Sequence, residues 1–459
     1  MPKKSLVTTS VPLLCHSKKL CASCLYLFTS ISLALYVSFS PTNKCLLFRS
    51  APFDPIQSPL FSYPTSYGEH KHVLPTFRSS CSSPVFFSDY SSVLTEIRQS
   101  CRNWNHLPLK YIQGKANTFG GNFSLESRIA SFDQLEQRKE FPCGFFKSFP
   151  INQYDKDEMN NCNEVVVVSA IFGDHDKIRQ PKGLGSKTLE MTCFFMFVDD
   201  ATLRGLHNHN LIPQESNEYI KIGAWRLVNV SSNELYQNPA MNGVIPKYLV
   251  HRLFPNAKYS IWVDAKLQLV VDPLLLIHSL VIKEGVDMAV SRHPFFFHTM
   301  EEAMATVRWR KWLDVDAIKM QMESYCANGL RPWSPSKLPY PSDVPDTAII
   351  LRKHGVASNL FSCLMFNELD ACNHRDQLAF AYVRDKMKPK IKMNMFEVEV
   401  FEQIVLEFRH NIKRSEITKP IPGDKLNNIK RATPDMFTTS KGLGKCHNYF
   451  LEMWAESHS

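Results

Sequence analysis

The chain has 459 residues, 44% hydrophobic and 21% charged, with a formal net charge of +9. That composition supports a globular core of one large or two ordinary domains. The positive excess is spread out, with no dense Lys/Arg run among aromatics, which argues against a nucleic-acid binder and suits anionic substrates or a membrane surface.

Residues 1–19 carry Lys3, Lys4, Lys18 and Lys19 and no acid. The next 20 residues, 20–39, are uncharged and long enough as a helix to cross a bilayer core. The positive-inside rule makes 1–19 a cytosolic tail, 20–39 a transmembrane signal anchor and the remainder luminal. Residues 40–139 begin rich in Ser, Pro, Phe and Tyr and read as an extended stem and collar. Asn122-Phe123-Ser124 and Asn229-Val230-Ser231 are glycosylation sequons that fit a luminal body. Of 13 Cys, ten follow the anchor without a C-x-x-C pair, so disulfides are expected there, with Cys143–Cys162 as the expected pair.

Residues 140–410 form the expected catalytic domain. A β-branched run at 165–172 predicts a parallel strand buried on both faces. Further strands are expected at 191–198, 225–230, 259–263, 287–291 and 347–351. Helices are expected at 247–254, with Pro246 in the first turn, at 300–312, and from about 375. Strands alternating with helices give an α/β fold around a mostly parallel sheet. Residues 411–459 read as a basic, polar tail.

Open sheets of this kind bind ligands beyond the carboxyl ends of their strands. Polar clusters fall there: Asp174, His175, Asp176 and Arg179; Asp199 and Asp200; Asp264 and Lys266; Arg292 and His293. Asp346 precedes the last strand, and Arg375, Asp376 and Gln377 open a helix. Asp264, His293, Asp346 and Asp376 are the candidates for catalysis, and the other ten residues for substrate binding. The segment YSIWVDAKLQ places Lys266 where an Asp-x-Asp metal clamp would have its second acid. Two alternatives follow: Mn2+ held by Asp264, or a metal-independent site in which Lys266 faces a diphosphate as a fixed cation. No G-x-S-x-G, Walker A, H-E-x-x-H or G-x-G-x-x-G pattern is present.

The segments VVSAIFGDHDKIRQP, FFMFVDD, KYSIWVDAKLQLVVDPLLL, SRHPFFFHTMEEAMAT, DVPDTAIILRKHG and NHRDQLAFAYVRDKM, in that order, resemble a plant family named for turgor-regulation defect and for mucilage-related hexosyltransferase. The resemblance implies a GT-A-like, Rossmann-like fold and a Golgi type II hexosyltransferase. Its partners would be a nucleotide-sugar donor and a glycan or lipid acceptor. The resemblance also implies an alternative, because the turgor branch has been assigned alkaline ceramidase activity, which releases sphingosine and fatty acid from ceramide. Known alkaline ceramidases span the membrane several times and hold zinc with His and Asp, whereas this chain has one candidate span and no such ligand set. Asp376-Gln377 is similar to the Asp-Gln pair near the acceptor site of some GT-A enzymes.

Overall fold

The computed structural model describes residues 18–39 and 45–409 apart from 53, 57–58, 68–80, 105–108, 133–139, 213–219, 232–234, 310 and 313. The expected tail at 411–459 and residues 1–17 of the expected tail at 1–19 lie outside the described residues, whereas residues 18 and 19 begin a helix.

Two short strands, β1 (Leu46–Phe48) and β2 (Val85–Phe87), pair in parallel ahead of the main domain. The central sheet then takes β3 (Val165–Ile171), β4 (Thr192–Val198), β5 (Ile220–Ile222), β6 (Trp225–Asn229) and β7 (Tyr259–Val263). After β8 (Leu267–Leu269) come β9 (Met288–Arg292), β10 (Pro345–Lys353) and β11 (Met393–Phe396). A last strand, β12 (Val405–Glu407), pairs with β8 outside the sheet. The eight-stranded order is β11-β9-β10-β7-β3-β4-β6-β5. Alternate valines of β3 point to opposite faces: Val166 and Val168 join the core that holds Trp262, while Val165 and Val167 join the core that holds Ile261.

The sheet is mainly parallel, as expected, but β10 runs antiparallel to both β7 and β9. Its first residue, Pro345, therefore lies beside Arg292 at the end of β9. This reversal brings Asp346 and Thr347 to the same edge as Asp264, whose N–H donates to the Ala348 carbonyl at 2.8 Å.

The expected helix at 247–254 is split in two: Val250–Leu253 is a separate short helix, and Lys247 belongs to a longer one. The longer helix starts at Pro239, capped by Asn238, and Pro246 lies inside it rather than in its first turn. Pro246 leaves one carbonyl a turn back without its intrahelical donor, and the helix ends two residues later, at Tyr248.

The extended stem is corrected too. Tyr90, Val93, Leu94 and Ile97 share one buried face of the helix Tyr90–Arg102. Ser100 Oγ and Tyr259 OH meet at 2.6 Å, and Trp104 packs edge-on against the Tyr259 ring. Further back, Tyr63 OH donates to the Ile178 carbonyl. The aromatic content that suggested a stem is what packs it onto the domain.

A helix occupies Lys18–Phe39, yet among the described residues no helix is long and apolar enough to cross a membrane. The fold therefore does not support the expected spanning anchor.

Cys143 pairs with Cys363, and Cys162 with Cys193, in place of the expected Cys143–Cys162 bond. Cys162 leads into β3, whose Val166 stands opposite Cys193 on β4. Cys143 instead lies over the helix Val356–Ala371, which carries Cys363.

Candidate functional site

A cleft of about 400 Å³ opens at the carboxyl ends of β3 and β7. Its walls bring together His175, Asp176, Asp264, Lys266, Asp346, Arg375, Asp376 and Gln377 from the sequence-based candidates. Three further residues, Lys247, Thr347 and His374, were not singled out as candidates from sequence.

Lys247, on the helix Pro239–Tyr248, is the centre of the arrangement. Its Nζ lies 2.7 Å from Asp376 Oδ2, 3.1 Å from Thr347 Oγ1 and 3.9 Å from Asp264 Oδ1. Asp376 Oδ2 also accepts hydrogen bonds from Tyr248 OH at 2.9 Å and Thr347 Oγ1 at 2.8 Å. Burial raises the proton affinity of Asp376, but Lys247, Thr347 and Arg375 outweigh it and hold the carboxyl below the usual carboxylate range. For Asp264 the balance falls the other way. Burial raises its pKa despite Lys247, Lys266 and the 2.7 Å bond from Trp262 Nε1. One sequence signal could have found Lys247: it is the one charged residue in a helix whose other inward positions are uncharged, and a charge there requires a partner.

Lys266 does not pair directly with Asp264. Its Nζ donates to Glu407 Oε1 on β12 at 2.6 Å. Burial opposes its charge, but Asp346, Glu407 and Asp264 more than compensate and hold it firmly protonated. Asp346 itself accepts from the Ala348 N–H at 3.1 Å. Arg375 reaches Glu302, which is fully buried, at 2.5 Å. Burial lowers the His374 pKa to about 4, so the ring that stacks edge-on against Trp312 is neutral at physiological pH.

The remaining candidates stand apart from the cleft. Asp199 is a helix cap, accepting from the N–H groups of Gly173 and Thr202 at 2.8 and 2.9 Å. Asp200 accepts from the Asn229 amide at 3.3 Å, and the Asp174 N–H donates to Thr202 Oγ1. The Arg179 guanidinium stacks 3.5 Å from the Phe408 ring centre and lines a different cavity. Arg292 lies 3.8 Å from Glu399, away from the cleft. His293 is turned into its own loop, where Nδ1 accepts from the N–H groups of Phe295 and Phe296. Of the sequon asparagines, Asn122 is exposed, whereas Asn229 is half-buried with its amide committed to Asp200.

The donor set of the cleft does not suit a divalent metal. Asp264 and Asp376 both face the Lys247 ammonium, at 3.9 and 2.7 Å, so a cation already serves these two acids. Among the described residues, one group of three possible ligands is close enough to share an ion, Cys143, His251 and Cys363, and its two cysteines are disulfide-bonded.

The sequence model of a family described as "TOD1/MUCI70, glycosyltransferase-like domain" matches residues 106–410. The Arabidopsis thaliana protein named alkaline ceramidase TOD1 is 58% identical over 99% of this chain and 100% of its own length. The Arabidopsis thaliana protein named probable hexosyltransferase MUCI70 is 40% identical over 59% of this chain, which spans about half (47%) of that relative. Mouse xyloside xylosyltransferase 1 is 8% identical, with a TM-score of 0.28 over 51% of this chain and 85% of its own. The mannosyltransferase Ktr4p from S. cerevisiae, in complex with GDP, is 10% identical with a TM-score of 0.23 over 65% of this chain and 84% of its own. These two structural likenesses are too loose to carry an argument.

Proposed function

Because the chain belongs to the TOD1/MUCI70 glycosyltransferase-like family, we propose that it moves a hexose from a nucleotide sugar to a polysaccharide or glycolipid acceptor, without a divalent metal. The observation that carries this reading is the placement of Lys247. An ammonium has three N–H donors, and Asp376 and Thr347 take two of them. Lys247 also lines the cleft, and Asp264, at 3.9 Å, is too far to be a full partner for the third.

In this reading Lys247 and Lys266 hold the donor diphosphate and stabilise the charge that develops as it leaves. The acceptor hydroxyl attacks the anomeric carbon, the bond from that carbon to the diphosphate oxygen breaks, and Asp264 takes the hydroxyl proton. Burial suits Asp264 to this role by raising its proton affinity. Asp376, held ionised by its three donors, positions Lys247 and is a poor base. His175, Asp176 and Gln377 are left to bind sugar hydroxyls along the walls.

The test is binding and turnover across a nucleotide-sugar panel, with and without chelator. Saturable binding of a donor that persists in chelator and disappears in Lys247→Met is expected. Absence of binding to every donor overturns the transferase reading, and binding that needs manganese overturns its metal independence.

A second reading, ceramide hydrolysis at an alkaline optimum, is favoured by one observation: 58% identity over 99% of this chain to a protein named alkaline ceramidase. If the same cleft does that work, Asp264→Ala abolishes ceramide turnover. Unchanged turnover removes the cleft from that chemistry.

We also propose residence at the Golgi membrane. In support, the helix Lys18–Phe39 turns Leu25, Phe28, Ile31 and Leu33 outward with more than half of each exposed. A fluorescent fusion that does not coincide with a Golgi marker would reject this location.

A further inference from the structure

We propose that the aromatic loop following β9 docks on an anionic lipid bilayer surface. The inference is independent of which reaction the cleft performs. Phe295, Phe297 and Trp309 are 69%, 44% and 61% exposed, which is unusual for side chains of this kind so close together. They form one patch: Phe295 lies against Phe296, and Phe296 against Trp309, with ring centres 6.5 and 6.1 Å apart. Phe297 extends it to Trp333, at 6.5 Å.

The backbone of this loop is fitted to a medium without water. His293 Nδ1 accepts the N–H groups of Phe295 and Phe296 at 3.2 and 3.1 Å. Glu301 Oε2 accepts those of Phe297 and His298 at 2.7 and 3.0 Å. The Phe297 carbonyl is taken by the Asp343 N–H at 2.9 Å. Four successive amides are thus satisfied inside the protein, so the phenyl rings can enter lipid without stranding a backbone donor. The same bonds hold the rings outward, so their exposure is built in.

Cations rim the patch. Arg308 and Arg331 are exposed, and Lys311 Nζ sits 4.9 Å from the Trp309 ring centre. Aromatic side chains flanked by Lys and Arg are the composition of an interfacial, anionic-lipid contact. Sugar rings can stack on aromatic faces too, but a neutral glycan has no charge to match the exposed Arg308 and Arg331, whereas an anionic bilayer does. The patch also neighbours the cleft, since Glu302 links His293 at 3.9 Å to the cleft-lining Arg375.

The experiment uses the full chain in vesicles of neutral phospholipid carrying brominated acyl chains, with or without phosphatidylserine. The fluorescence of Trp309 is obtained as the difference from Trp309→Phe. The helix Lys18–Phe39 contains no Trp and adds nothing to the signal. Bromolipid is expected to quench the Trp309 signal, more strongly with phosphatidylserine. Phe295→Ser/Phe297→Ser should lose that quenching while the thermal unfolding midpoint is unchanged. A Trp309 signal that bromolipid leaves untouched overturns the proposal. So does shielding of Trp309 that follows added oligosaccharide or protein concentration in the absence of lipid, which would point to a glycan or a second copy.

Discussion

Lys247 Nζ and Asp376 Oδ2 lie 2.7 Å apart inside the body, with both side chains almost wholly buried. Removing one partner of such a pair costs about 3–5 kcal/mol, because the other charge is left uncompensated. Lys247→Met should therefore destabilise the fold as well as stop turnover. The double variant Lys247→Met/Asp376→Asn restores neutrality and should recover most of that stability. Its turnover should remain down by about 10²–10³-fold, the usual effect of removing a donor to developing charge. A double variant that folds and turns over normally rules out the proposed role of Lys247.

The opposite shifts of Asp264 and Asp376 predict the acid limb of the pH–rate profile. Burial raises the Asp264 pKa, so the basic form appears only above the ordinary carboxylate range. Turnover should rise with pH through that raised value and then level off. Asp264→Asn should flatten the profile at a low rate. Asp376→Asn should lower the rate and also shift the midpoint down, because the Asp376 charge is one of the causes that raise the Asp264 pKa.

Asp272 gives a pH prediction for stability. It caps the helix Pro273–Ile277, accepts from Thr188 Oγ1 at 2.5 Å and from the Gly185 N–H at 3.1 Å, and burial pushes its carboxyl up to about 6. The unfolded value is about 3.9. The folded chain thus keeps a proton that the unfolded chain has lost. This contribution is whole below pH ~3.9 and is lost as pH rises through 6. The loss amounts to about 3 kcal/mol at roughly 1.4 kcal/mol per pH unit. Denaturant unfolding at pH 4 and pH 7.5 should show that difference between the parent and Asp272→Asn, with equal slopes in the two proteins counting against it.

The Cys143–Cys363 and Cys162–Cys193 disulfides close segments of very different length, with sequence separations of 220 and 31. Loss of either should cost about 2–5 kcal/mol, and more for the longer loop. Cys363→Ser and Cys193→Ser, compared by thermal unfolding, test the order. Peptide mapping without reduction checks the pairing itself.

The strands were legible where the chain is densest in β-branched and aromatic residues, as at Val165–Ile171 and Tyr259–Val263. Their polar ends were read onto one edge of the sheet, and Asp264, Lys266, Asp346 and Asp376 line one cleft there. The direction of β10 was not legible, because a strand buried on both faces has the same pattern whichever way it runs. Asp199 shows the limit of reading strand ends: the same residue type caps a helix or binds a ligand, and only packing decides. Lys247 was hidden because helical spacing marks which face is buried but not which buried cation has a carboxylate waiting. The disulfides followed strand register, which cysteine spacing alone does not encode.

The folding of residues once read as a stem has a mechanical consequence. Phe39 ends the first helix and Cys45 is already buried against the body. At 3.3–3.6 Å per residue, the six steps between them span at most about 20 Å. The catalytic body has a short leash rather than a boom, and whatever holds the helix Lys18–Phe39 fixes the radius it can sweep. Acceptors must come within that radius, so crowding and diffusion near the attachment point, more than reach, would set the rate at which the cleft is supplied.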